Sequence, residues 1–154
     1  RFRTFSKAYG LAGIRIGDVI GERGLIGEFN KVRNHFGVGR VAQAAALAAL
    51  SDTGYLQKVI TQVADGRNRI AGIASDYGLA SLPSAANFVA VDCGQDGTYA
   101  IAVLNDLVRQ GVFVRMPGVA PLNRCIRITV GLDQHLDAFT KALPGALASA
   151  KSAS

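Results

Sequence analysis

Thr4-Phe5-Ser6-Lys7-Ala8-Tyr9-Gly10-Leu11-Ala12-Gly13-Ile14-Arg15-Ile16-Gly17 sets a lysine among hydroxyls, then a glycine-spaced loop, then an arginine. Lysine is the side chain that condenses with a carbonyl cofactor, of which pyridoxal phosphate (PLP) is the commonest. The phosphate of such a cofactor needs hydroxyls, backbone N–H groups and a guanidinium to hold it. Thr4, Ser6 and Arg15 can supply those groups around Lys7. Gly10 and Gly13 permit the turns that bring Arg15 back toward the same anion. On residue types alone, a lysine after a serine is most often a solvated loop residue. Ser6 and Thr4 can equally well satisfy the backbone of their own loop.

Outward from this stretch, Phe2 to Phe5 sets two polar residues between two apolar ones and is expected to be the end of a strand that delivers Lys7. The spacing predicts a second strand over Ile14–Ile20, with Arg15 on the face opposite Ile14 and Ile16. It predicts helices over Glu22–Val32, with Leu25, Ile26 and Phe29 on one face, and over the alanine-rich Val41–Leu50. Asn34 to Gly39 reads as a loop, and Ser51, Asp52 and Thr53 are N-cap candidates for the next element. From Tyr55 to about Tyr77, Leu56, Val59, Ile60, Val63, Ile70 and Ile73 recur at helical spacing. Beyond Gly78 the pattern predicts strands over Ala86–Val91, Val112–Val114 and Cys125–Val130. It also predicts a helix over Tyr99–Arg109 capped by Thr98 and stopped by Gly111. A closing helix over Leu132–Leu143 should be ended or kinked by Pro144, with a frayed tail after it.

Composition narrows the class. Hydrophobic residues make up 49% of the 154, which suits a folded chain rather than a disordered one. No run approaches the length a membrane helix needs. The net charge of +6 comes from scattered Arg and Lys with no run longer than two, so nucleic-acid binding is not expected. Cys93 and Cys125 suit reduced thiols in a cytoplasmic protein, although sequence leaves a single disulfide open. No second ligand lies at useful spacing from His35, so no metal site is expected.

Ser6 to Gly17 resembles the signature of the fold-type I, class I/II aminotransferases, most closely the histidinol-phosphate aminotransferase branch. Lysine, glycines and arginine fall in register over those positions, and Arg15 follows Lys7 by the family's eight residues. The resemblance implies an α/β fold: the end of a PLP-transferase large domain over 1–50, a bridging helix over 51–77, and a small C-terminal α/β domain over 78–150. It implies a chain that is the C-terminal part of a longer enzyme. The family's groups around the pyridine ring precede this segment, so the segment alone should be inactive.

Residue roles follow from the same resemblance. Lys7 carries PLP and, once released, serves as the general base at the substrate Cα. Arg15, Ser6 and Thr4 bind the cofactor phosphate, and Tyr9 is packing. Arg127-Ile-Thr-Val-Gly131 resembles the motif whose arginine grips the substrate carboxylate. Arg115, after Val112-Phe113-Val114, matches a position that contacts a second anionic group. Asn87 reads as structural. The sequence departs from the family at Asp18, where an aromatic is usual, and in Phe36–Gly39, which lacks a customary asparagine.

The implied function is amino transfer between an amino acid or amino-alcohol phosphate, histidinol phosphate among them, and a 2-oxo acid. The implied assembly is a homodimer, with no nucleic-acid or membrane partner. The alternatives are a related PLP-dependent amino-acid phosphate decarboxylase, and a non-catalytic α/β interaction domain in which Lys7 is incidental.

Overall fold

The computed structural model describes residues 1–152, and these form two compact units, 1–61 and 62–152. The first unit opens with a two-stranded antiparallel ribbon, β1 (Phe2–Thr4) and β2 (Gly17–Val19), in the register Phe2↔Val19, Arg3↔Asp18 and Thr4↔Gly17. Between the strands lies a 3₁₀ turn, Ala12–Ile14. The strand expected over Ile14–Ile20 is therefore shorter and starts later. Arg15 is not on it: it sits in the left-handed region at φ 58° and ends the turn. Alternation in the sequence could not reveal this, because a 3₁₀ turn followed by one left-handed residue resets the strand phase.

Helix α1 (Arg23–Val32) follows, with Glu22 as its N-cap accepting from the N–H groups of Gly24 and Leu25. Those two hydrogen bonds hold the Glu22 carboxyl below its ordinary value. Helix α2 (Arg40–Ser51) is separated from it by the loop that contains His35. Asp52 then joins two helices. Its N–H closes α2 on Ala48 O, and its Oδ1 caps α3 (Thr53–Asp76) by accepting from Tyr55 N–H at 2.9 Å. This first unit buries only Phe5 and Ala46 among its described residues, while Phe36 and Val32 are 94% and 83% exposed.

The second unit carries a true core. The C-terminal half of α3 stops at Gly78, whose φ of +70° allows Gly78 N–H to bond Ser75 O and Leu79 N–H to bond Ala74 O. A three-stranded antiparallel sheet follows in the order β3 (Ala80–Ser81), β4 (Phe88–Asp92), β5 (Cys125–Thr129). Val89 pairs with Ile128 and Val91 with Ile126, so one face is wholly apolar. Against it pack Ile70 and Ile73 of α3, Val103 and Leu107 of α4 (Gly97–Arg109), and Phe139 and Leu143 of α5 (Asp133–Ser152). Each such side chain contributes about 1.5–3 kcal/mol on burial. Arg69 on α3 bonds Asp133 and Asp137 at the start of α5.

Three expectations are corrected in this unit. The cap of α4 is Asp96, which accepts from Tyr99 N–H at 2.9 Å, not Thr98. Gly111 does stop α4, with Gly111 N–H on Val108 O and Val112 N–H on Leu107 O. Residues 112–114 are not a strand. Drawing Val112 into that cap leaves only Arg115 to meet β5, in an isolated bridge to Arg127. Pro144 lies inside α5 rather than ending it, and the tail is helical to Ser152. Ala146, Leu147 and Ala150 are buried, and Tyr99 Oη donates to Leu147 O. Packing after the proline outweighs the hydrogen bond it removes. The last two residues of the expected frayed tail lie outside the described residues.

Candidate functional site

In the first unit, the turn that carries Lys7 is built around Phe5. Phe5 N–H bonds Ile16 O at 3.3 Å, Leu11 N–H bonds Phe5 O at 2.9 Å, and Gly10 N–H closes the turn on Lys7 O at 2.9 Å. The Phe5 ring is buried and packs on Tyr9 with centroids 4.8 Å apart, so Tyr9 does pack. Gly10 adopts φ +69°, and a Cβ there would meet the Tyr55 hydroxyl at 3.4 Å. Gly13 has no positive φ and open space around it. Of the two glycines expected to shape the loop, only Gly10 is required by its backbone.

This frame brings the expected anion-binding groups together. Arg15 Nη1 donates to Ser6 Oγ at 3.3 Å and to Ala12 O at 2.7 Å. Thr4 Oγ1 accepts from Ser6 N–H at 3.0 Å, so that hydroxyl serves its own loop. The Ala12 carbonyl is a participant that sequence did not point to. Its contact depends on the left-handed turn at Arg15, a conformation that costs a non-glycine residue about 1–2 kcal/mol. Lys7 is exposed, and its amine has no hydrogen-bond or ion-pair partner among the described residues. Asp18, the departure from the family pattern, pairs with Arg3 directly opposite it across the ribbon.

In the second unit, Arg127 and Arg115 face each other across the isolated bridge, with Arg127 N–H on Arg115 O at 2.6 Å and Arg115 N–H on Arg127 O at 3.1 Å. On β5, Arg127 alternates with buried Ile126 and Ile128, so it stands on the sheet face away from the helices. Directly opposite is Ala90, and diagonal to it is Phe88, whose ring centre lies 4.7 Å from the guanidinium carbon. Arg127 Nε is buried with no hydrogen-bond partner among the described residues. The Arg115 guanidinium is exposed and likewise unpaired. Asn87 uses its carbonyl, accepting from Val130 N–H at 2.9 Å. Among the described residues no group of three or more His, Cys, Asp or Glu could hold a metal.

The family model for aminotransferase class I and II matches residues 2–143. The chain belongs to that family. A histidinol-phosphate aminotransferase of Ralstonia nicotianae is 43% identical over 98% of this chain, and one of Cupriavidus pinatubonensis is 43% identical over 94%. Among solved structures, the histidinol-phosphate aminotransferase of Sinorhizobium meliloti in complex with pyridoxal-5'-phosphate superposes with a TM-score of 0.92. It is 55% identical and covers 97% of this chain. The L-threonine-O-3-phosphate decarboxylase of Porphyromonas gingivalis, 20% identical with a TM-score of 0.77, shares the fold. This class I/II aminotransferase segment spans about two fifths of the length of the relatives it matches: 40% and 39% of those two enzymes, and 41% of the Sinorhizobium chain.

Sequence reading missed Phe88 as a neighbour of Arg127. The signal was there in principle, since Phe88 and Arg127 lie on strands, but finding it requires the β4–β5 register. The fold is mixed helix and sheet, as expected. No described helix is long and apolar enough to cross a membrane.

Proposed function

We propose that this chain is part of a PLP-dependent aminotransferase that moves an amino group between an amino acid or amino-alcohol phosphate, histidinol phosphate among them, and a 2-oxo acid. The observation that carries the reading is Arg15 folded back onto the hydroxyl of Ser6, the residue before Lys7, whose amine has no partner among the described residues. The donor set suits PLP. Arg15 supplies a fixed guanidinium for the phosphate, Ser6 Oγ a hydroxyl, and Thr4 Oγ1 holds the Ser6 backbone in place. When bound, PLP supplies an aldehyde for the Lys7 amine and an electron sink for the bond broken at the substrate Cα.

The chain's own groups do the rest. Arg15 neutralises the phosphate, and its bond to Ala12 O fixes where that charge sits. Lys7, on a flexible four-carbon stem, holds the cofactor and then, as a free amine, moves the proton at the substrate Cα. Arg127 presents a planar guanidinium to a carboxylate, which orients the substrate, and Arg115 takes a second anionic group.

The proposed organisation is residues 1–50 in the large cofactor-binding domain, 51–77 as a bridging helix and 78–150 as the small domain, in a homodimer. Cys93 and Cys125 are free thiols, which supports a reducing compartment such as the cytoplasm. The test is spectroscopic. The full-length enzyme with PLP should show a band near the visible edge, and borohydride should fix the label onto Lys7. If Lys7→Ala keeps both band and label, the assignment is wrong.

A further inference from the structure

Arg127 has an environment that its proposed role does not by itself explain. Its Nε is sealed from solvent without a hydrogen bond, and its guanidinium carbon lies 4.7 Å from the centre of the Phe88 ring. The register shows how this comes about. The residue directly opposite Arg127 is Ala90, whose methyl leaves the face of β4 open, and Phe88 is the next residue on the same face. The arginine stem can therefore lean across Ala90 until the guanidinium meets the ring. Phe88 is held in turn: its carbonyl accepts from Ser84 Oγ at 2.6 Å, and the preceding Asn87 carbonyl accepts from Val130 N–H. The two Nη groups of Arg127 have no protein partner among the described residues.

We propose that Phe88 is a positioning residue for Arg127: its ring holds the guanidinium, fixing its plane and leaving the Nη edge free to take a substrate carboxylate. This rests on the reading of Arg127 as the carboxylate-binding arginine. The physical basis is the attraction of a cation to the negative face of an aromatic ring, which strengthens when water is excluded, as at this Nε. A free arginine samples many rotamers, and a planar fork binds a carboxylate through two bonds only in a narrow range of orientations. An aliphatic side chain at 88 fills space but offers no quadrupole.

The experiment uses the full-length enzyme loaded with PLP and four variants: Phe88→Leu, Phe88→Met, Phe88→Tyr and Arg127→Ala. The readouts are the Kd of maleate, a dicarboxylate with no amine to react, together with KM, kcat, cofactor loading and Tm. Both aliphatic variants should weaken maleate binding and raise KM about threefold to thirtyfold, with cofactor loading retained and kcat within twofold. Phe88→Tyr, which keeps the ring, should restore binding to within twofold. If Arg127→Ala weakens maleate and the folded aliphatic variants do not, Phe88 has no positioning role and the Arg127 reading stands. If Arg127→Ala leaves maleate binding unchanged, the Arg127 reading falls and takes this proposal with it. If Phe88→Tyr loses as much binding as Phe88→Leu, or if Tm and kcat fall together with no change in Kd, Phe88 is packing alone.

Discussion

Replacing Gly66 with alanine tests how closely α3 lies against the end of β5. Gly66 is buried in α3, and a Cβ built there falls 2.4 Å from Val130 Cγ1. An ordinary carbon–carbon contact is about 3.5–4.0 Å, so the methyl must retreat by about 1 Å or more. Val130 cannot easily yield. Its χ1 is stiff, and its N–H is tied to Asn87 O at 2.9 Å. Alanine gains about 1 kcal/mol over glycine inside a helix, while overpacking a close contact costs about 1–3 kcal/mol. The clash should win, for a net loss of up to about 2 kcal/mol. Read by urea unfolding, with a slope of about 1–3 kcal/mol per molar, the midpoint should drop by up to about 2 M. In a Val130→Ala background the obstructing methyl is gone, and Gly66→Ala should become neutral or stabilising. A higher midpoint for Gly66→Ala alone, or an equal loss in both backgrounds, would refute the packing argument.

Other expectations can be checked alongside it. Gly10→Ala should cost about 1–2 kcal/mol because of its left-handed φ and should loosen cofactor binding, whereas Gly13→Ala should leave titrations with PLP unchanged. Asp96→Ala should destabilise α4 by about 1 kcal/mol in thermal unfolding, and Thr98→Ala should show no comparable loss. Burial pushes the Cys93 thiol from 9.0 to about 11. Its folded value lies above its unfolded one, so the stabilisation of the neutral thiol is complete below about pH 9 and lost as the pH climbs to about 11. Unfolding titrations should show that loss in the native sequence and not in Cys93→Ala, and folded Cys93 should resist alkylation at pH 8. Arg127→Ala should raise KM for carboxylate substrates more than it weakens PLP binding. Equal losses in the two assays would remove Arg127 from the substrate role.

The parts of the fold legible in sequence are those set by local pattern. The long period of Leu56, Val59, Ile60, Val63, Ile70 and Ile73 marks α3, Ser51 to Thr53 offers three caps of which the structure uses Asp52, and Gly111 marks where α4 ends. The sequence-legible part of the candidate site is the eight-residue spacing of Lys7 and Arg15, with Gly10 and Gly13 between them. The rest depended on interactions between residues far apart or on backbone choices a pattern does not record. Arg15 sits in the left-handed region, and from there its guanidinium reaches Ala12 O and Ser6 Oγ. Thr98 and Asp96 are both capping residue types, and only the chain's path into α4 decides that Asp96 faces Tyr99 N–H. Pro144 reads as a stop until the buried Leu147 and Ala150 beyond it are seen. Phe88 joins Arg127 only through strand register.

The link between residues 115 and 127 is made of main-chain atoms alone, in two reciprocal hydrogen bonds. Neither guanidinium contributes to it, so the scaffold that holds position 127 is indifferent to the side chain carried at 115. If Arg115 and Arg127 have the roles proposed for them, changing Arg115 to a neutral or aromatic residue in the full-length protein should alter donor preference more than carboxylate binding. On that proposed reading, position 115 is a natural starting point for redirecting the full-length protein toward new amines by directed evolution.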